Sequence, residues 1–236
     1  MPGEISDIGL NAITNTVQKE ILWVVLKEYF QNSQKLFKGE DFTSFLESIS
    51  RLYTKLTRAV YFTTNESGIN EITESYAVFK LATNQNQRVI FVTNSPDTAR
   101  VRGERIKERL QNAVQKGMCG RLEIGKIRGL VDSFALFDYR KPHSALKGEL
   151  KVIEPGGFGN GATPDLVILA VTNRNTNEEF YEWYRNELML RIASHTYFFV
   201  VTDNIEITDR IKTINQGINL EDQGKYASNT KMGTGE

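Results

Sequence analysis

Four short segments of the chain share the same polar ending, and these endings hold the residues best suited to binding a ligand. Each segment is rich in β-branched and aromatic residues and ends in Thr followed by Asn or Asp. Hydroxyl, amide and carboxylate groups can bind a small polar ligand, and the free N–H groups of a following helix favour an anion. The predicted ligand-binding pairs are Thr64-Asn65, Thr93-Asn94, Thr172-Asn173 and Thr202-Asp203.

Helix capping is the alternative explanation of the same residues. Asn, Asp, Ser and Thr are the preferred N-cap residues, because their side-chain oxygens accept a free N–H of the first helical turn. A strand-to-helix connection therefore favours these residue types with or without a ligand. Both interpretations are open at this point, and both predict the same fold.

A second set of residues, Asp132, Glu149 and Lys151, forms a D-x16-E-x-K pattern. It resembles the PD-(D/E)xK nuclease pattern, which implies that the two carboxylates bind Mg²⁺ and that the lysine positions or polarises the attacking water. The chain departs from that pattern, since Val131 and not Pro precedes Asp132, and Glu149 follows Gly148 at the start of a predicted strand. Mg²⁺ is expected as a cofactor only under this nuclease interpretation, and otherwise the cofactor is unknown.

The remaining candidate motifs are incomplete. The glycine-rich stretch 157–161 lacks the Lys-Ser/Thr pair of a phosphate-binding loop and precedes a strand, so we predict a mobile surface loop there. One Cys and two His exclude a zinc cluster built from those residues. Neither His143 nor His195 has an identifiable catalytic partner, and Cys119 lies in a predicted turn.

The formal net charge is zero, but the charges are unevenly distributed. Residues 100–151 carry 13 basic and 6 acidic side chains, whereas the segments on either side are acidic. A basic segment of this kind could contact the phosphates of a nucleic acid. It could equally form a solvated helix face that is balanced by acidic neighbours in the fold.

Alternation of strand and helix patterns predicts the fold class. Apolar segments near residues 60, 90, 168 and 199 are each followed by a helical pattern, which indicates an α/β, Rossmann-like, mainly parallel sheet with helices on both faces. We predict this domain over residues 58–216, with an antiparallel meander inserted at 120–154. An N-terminal helical segment is predicted over 1–57 and a disordered tail over 217–236.

These observations favour a non-enzymatic regulatory or sensory protein that binds a small anionic ligand or a partner at the carboxyl ends of the strands. The apolar helical stretch 21–26 favours homo-oligomerisation through the N-terminal helices. The alternative is a Mg²⁺-dependent nuclease or a nucleic-acid-binding protein that uses the basic region. With no signal-peptide pattern, no membrane span and a single Cys, we expect a cytoplasmic protein that does not bind membranes.

Overall fold

The structure is a computed structural model. It describes residues 48–49, 51–52, 57–83, 87–93, 96–115, 122–126, 133–138, 148–157 and 163–216. The predicted tail, most of the predicted N-terminal helical segment, and the candidate site residues Asn94 and Asp132 lie outside these ranges.

In the described part of the chain, seven strands and four helices follow one another from residue 59. The bounds match the sequence patterns closely, because β-branched runs and amphipathic stripes alternate along this part of the chain. The elements are β1 (Ala59–Thr63), α1 (Glu66–Thr83), β2 (Arg88–Val92), α2 (Pro96–Gln115), β3 (Leu122–Lys126), β4 (Ser133–Asp138), β5 (Gly148–Ile153), β6 (Leu166–Val171), α3 (Glu178–Trp183), β7 (Tyr197–Thr202) and α4 (205–216).

All seven strands form one sheet in the order β1-β7-β6-β2-β5-β4-β3. The first five strands in that order are parallel to one another. Strand β4 pairs antiparallel with both β3 and β5, so the meander joins the parallel sheet through β5. The predicted α/β, Rossmann-like fold class is therefore confirmed.

One face of the sheet, called here the front face, packs against α1 and α2. Its core combines alternate residues of the strands, such as Phe91 and Phe199, with the apolar stripe of α1 that contains Ile69, Ile72 and Tyr76. Residues Ile49 and Leu52 are also buried in this cluster. The helical residues at 48–49 and 51–52 therefore contribute to the same core as α1 and α2.

The opposite, back face packs against α3 and α4. Helix α3 continues into a π-helical turn, Tyr184–Leu188, and a 3₁₀ turn, Met189–Arg191. The Tyr184 hydroxyl donates to Asn215 Oδ1 at 2.7 Å, and Asn215 Nδ2 donates to the Tyr61 hydroxyl at 2.9 Å. These hydrogen bonds fix the end of α4 against β1. Burial of the Tyr61 hydroxyl raises its pKa.

An ionic cluster lies between α1 and α2 on the front side, and we call it the Glu74 cluster. Glu74, whose side chain is 1% exposed, lies 2.9 Å from Arg102, 3.5 Å from Arg105 and 3.6 Å from Arg109. Arg109 also forms a two-pronged interaction with Glu71 at 2.8 and 3.1 Å. Three of the 13 basic side chains of residues 100–151 thus pair with two glutamates of α1 within the fold, so they are not all available to an external phosphate.

No helix in the part of the chain that the structure describes is long and apolar enough to cross a membrane.

Candidate functional site

The predicted Thr-Asn/Asp pairs that can be placed all lie at the carboxyl ends of parallel strands, and we call this region the polar edge. Thr202, the last residue of β7, is in register with Thr63 on one side and Val171 on the other. Val92 of β2 is in register with Leu169 of β6, so Thr93 follows at the same edge. The polar edge comprises Thr63, Thr64, Asn65, Thr93, Thr172, Asn173, Thr202 and Asp203.

The connections that leave this edge run to opposite faces of the sheet. After β2 the chain enters α2 on the front side, whereas after the neighbouring β6 it leads to α3 on the back side. Adjacent connections that diverge in this way leave a crevice between them, which is where open α/β sheets bind ligands. The crevice between β2 and β6 is flanked by Thr93 and Thr172.

Asn65 caps α1. Its Oδ1 accepts the Gly68 N–H at 2.8 Å, and its backbone carbonyl accepts the Ile69 N–H at 3.1 Å. A Cβ at Gly68 would lie 2.6 Å from Thr64 Oγ1, so the first turn of α1 approaches Thr64 as closely as only glycine permits. For this pair of residues, the capping interpretation accounts for the asparagine without a ligand.

The predicted helix start at Thr172-Asn173 is a 3₁₀ turn, Asn173–Asn175, and the side chain of Thr172 makes no capping bond. The cap of α3 is Asn177, whose Oδ1 accepts the Phe180 N–H at 3.0 Å. The connection after β6 is therefore longer than the sequence pattern indicates. Instead of serving as caps, Asn173 and Asp203 bond to each other, since the Asn173 N–H donates to Asp203 Oδ1 at 2.7 Å.

Hydroxyl groups cluster where β1 and β7 end. Thr202, which is fully buried, shares a 2.6 Å hydrogen bond with the Thr208 hydroxyl, and Thr63 lies 3.2 Å from that same hydroxyl. Asn204 caps α4 by accepting the Thr208 N–H through its backbone and the Glu206 N–H through Oδ1. Thr202 and Thr208 therefore hold the first turn of α4 to the sheet.

The end of β5 adds a carboxylate that the sequence pattern does not single out. Thr93 is fully buried, and its N–H donates to the Ile153 carbonyl at 2.8 Å, which places Glu154 beside it. A type II turn follows, with the Gly157 N–H bonded to the Glu154 carbonyl at 2.9 Å and Gly156 at φ 81°. Residues 158–161 of the predicted surface loop lie outside the described ranges.

An exposed ion pair also spans the polar edge. Arg174 in the 3₁₀ turn lies 3.8 Å from Glu66, the first residue of α1, and their side chains are 80% and 55% exposed. Neither residue belongs to a Thr-Asn/Asp pair. Each lies three residues after the end of its strand, and the shared register of β1 and β6 with β7 brings them together.

The candidate nuclease residues are only partly within the described structure. Glu149 and Lys151 are both half-buried on β5, and they share the back face because Leu150 and Val152 lie in the front core. The Glu149 carboxylate is 4.0 Å from Arg88 Nε. Among the described residues, which do not include Asp132, no group of three or more Asp, Glu, His or Cys could hold a metal ion.

His195 lies at the other end of the sheet, away from the polar edge. Its Nε2 is 3.8 Å from Asp165 Oδ1, and its side chain is 60% exposed. Asp165 Oδ2 also accepts the Arg88 N–H at 2.8 Å, so this carboxylate joins the start of β2 to the start of β6. Asp165 therefore has a structural role in linking two strands, and His195 is placed beside it rather than at the polar edge.

Comparisons with known proteins give weak structural likenesses. No protein-family model matches the chain, and no curated protein matches it. Two solved structures of the large terminase ATPase domain of a Thermus phage, one of them a mutant, are 16% identical, with TM-scores of 0.48 and 0.47 and 61% of this chain covered. The large terminase of bacteriophage HK97 is 11% identical, with a TM-score of 0.47 and 70% coverage. The chain spans 59% of the length of the first two proteins and 33% of the third.

Proposed function

We propose that the protein binds a small anionic ligand at the polar edge and acts as a regulatory or sensory protein rather than as an enzyme. The observation that carries this proposal is the crevice between β2 and β6, whose connections leave toward opposite faces. The first turns of α1 and α4 lie at the same edge, and their positive dipole ends favour negative charge there. Asn65 and Asn204 accept N–H groups of these turns, so the ligand is attracted by the dipoles and not by unbonded N–H groups of those caps.

Arg174 lies two residues after Thr172 in the connection that borders the crevice, and it supplies the cationic side chain of the proposed site. In the structure this side chain extends across the end of β7 toward Glu66. A guanidinium can bind a phosphate or carboxylate through two parallel hydrogen bonds, and its exposed pairing with Glu66 costs little to break. The side chain of Asn65 caps α1, and the side chain of Asp203 accepts the Asn173 N–H. Thr93 and Thr202 are fully buried, so in this proposal the predicted ligand-binding role is narrowed to Thr172 and Asn173, the residues next to Arg174.

Removal of the Arg174 charge tests the proposal. We expect Arg174→Gln to weaken the binding of pyrophosphate or ATP by about 10- to 100-fold, since a hydrogen bond to a charged group contributes about 1.5–3 kcal/mol. Isothermal titration calorimetry measures the dissociation constants. Arg185→Gln is the matched control, because Arg185 is an exposed arginine in the π-helical turn. Equal effects of the two substitutions, or no binding by the wild-type protein, would count against the site.

Homo-oligomerisation through residues 1–57 is part of the same proposal. It is supported by the apolar stretch 21–26. Light scattering coupled to size exclusion measures the mass of the full chain in solution. A monomeric chain at micromolar concentration would remove this part of the proposal.

A Mg²⁺-dependent nuclease is the second candidate, supported by the placement of Glu149 and Lys151 on one face of β5. If this candidate is right, DNA or RNA is cleaved in the presence of Mg²⁺ and cleavage falls at least 100-fold in Glu149→Ala, because a carboxylate ligand of the metal is lost. Gel analysis of the digested nucleic acid measures the rate. Glu104→Ala on the exposed side of α2 is the control, and retention of cleavage in Glu149→Ala removes the candidate.

A further inference from the structure

The ion pair between Glu66 and Arg174 crosses the end of β7 at the polar edge. Glu66 begins α1 on the front side of the sheet, and Arg174 lies in the connection from β6 to α3 on the back side. Strand β7 lies between β1 and β6, so this contact spans both the width of one strand and the thickness of the sheet edge. No backbone ladder joins these two connections directly, because β1 and β6 are not neighbours.

We propose that Glu66 is an autoinhibitory counter-ion. Its carboxylate pairs with the Arg174 guanidinium, which is the group that binds the anionic ligand. This inference rests on the proposed function, because it assigns a form of regulation to the same site. A glutamate carboxylate presents the same pair of acceptor oxygens to a guanidinium that a phosphate group does. Glu66 is therefore an internal competitor for the ligand.

The strength of the contact suits a reversible block. Exposed ion pairs are typically worth about 0–1 kcal/mol and are weakened by salt. With the atoms 3.8 Å apart and both side chains more than half exposed, the Glu66 pair belongs to that class. A ligand with two or more negative charges displaces the Glu66 carboxylate at a small cost in free energy. Glu66 then remains in the first turn of α1, where the helix dipole favours a carboxylate.

Asp203 adds to the block. Its carboxylate accepts the N–H of Asn173, the residue before Arg174, at 2.7 Å, so a second negative charge from the connection after β7 lies against the connection that holds Arg174. Of the two carboxylates, that of Asp203 is held in place by its hydrogen bond to the backbone, whereas that of Glu66 can move away from Arg174. Arg174 is already exposed, so removal of the Glu66 charge acts by taking away a competing carboxylate.

The test measures pyrophosphate binding by the full chain with and without Glu66. We expect Glu66→Gln to lower the dissociation constant about two- to fivefold at low ionic strength, which corresponds to the loss of a surface ion pair. The gain is expected to shrink at 0.5 M salt, where Glu66 is already screened. Glu182→Gln is the matched control, since Glu182 is exposed on α3 and its substitution changes the net charge equally. Circular dichroism checks that both variants are folded.

The outcomes separate this inference from the function on which it rests. Tighter binding by Glu66→Gln than by both the wild type and Glu182→Gln supports autoinhibition. Equal or weaker binding by Glu66→Gln, with the wild type still binding through Arg174, overturns autoinhibition and leaves the proposed function standing. Absence of pyrophosphate binding in the wild type and in both variants overturns the proposed function itself.

Discussion

Glu74→Ala is expected to destabilise the protein by about 3–5 kcal/mol, because it leaves buried arginine charge without its partner. The Arg102 side chain is 7% exposed and lies 2.9 Å from Glu74. Burial lowers the pKa of Arg102 and raises the pKa of Glu74, against the opposing effect of the paired charges. These directions indicate that each charge is costly to bury alone. Urea denaturation followed by circular dichroism measures the loss.

Two further variants distinguish this explanation from a general loss of packing. Glu71→Ala should cost much less, because Glu71 is 23% exposed and Arg109 keeps Glu74 and Ser75 as partners. The double variant Glu74→Leu with Arg102→Leu should recover most of the stability, since two buried charges are removed together. A Glu74→Ala protein within about 1 kcal/mol of wild type would contradict the prediction.

Phe199→Ala is the second large loss that we expect, again about 3–5 kcal/mol. Phe199 is fully buried on β7, its ring centroid lies 4.3 Å from that of Tyr76 on α1, and it is 6.3 Å from the ring of Phe62 on β1. Truncation would leave a cavity where the sheet meets α1, and the rigid neighbours can fill it only in part. Equilibrium unfolding in urea gives the change in free energy.

A conservative variant at the same position provides the control. Phe199→Leu should cost clearly less than Phe199→Ala, because the branched side chain fills most of the cavity. The slope of unfolding free energy against urea should stay unchanged if only packing is lost. A loss below about 1.5 kcal/mol for Phe199→Ala would show that Tyr76 moves into the space and that the front core is more adaptable than its geometry indicates.

Much of the fold could be predicted because local patterns determine the elements. The run Leu166–Val171 has no polar residue, as expected of a strand covered on both faces, and all six of its residues are buried. Alternation of strands and helices then predicts parallel strands that are joined by right-handed crossovers, with helices on both faces of the sheet. Strand order could not be predicted, because local patterns identify each strand but not its neighbours. For example, β2 pairs with β5, which is separated from it in the chain by α2, β3 and β4.

The candidate site was harder to predict for the same reason. Residue type and spacing led to Asn65 and Thr172, but whether a polar side chain caps a helix or faces a crevice depends on the length of the connection, which at Thr172 is longer than its pattern indicates. The Glu74 cluster was also missed, because its partners lie on another helix and a buried glutamate has no local mark that separates it from exposed ones. Arg174 could be identified only once β6 and β1 were placed around β7.

The pairing of β1 with β7 has a consequence for how the chain folds. Among the described strands, β1 has β7 as its partner, so residue 63 must find residue 202 before the first strand is secured. During synthesis, β1 therefore emerges long before its neighbour exists and exposes an unpaired strand in the meantime. Closure of the sheet at β1 should be a late and slow event, because so long a loop must be ordered first.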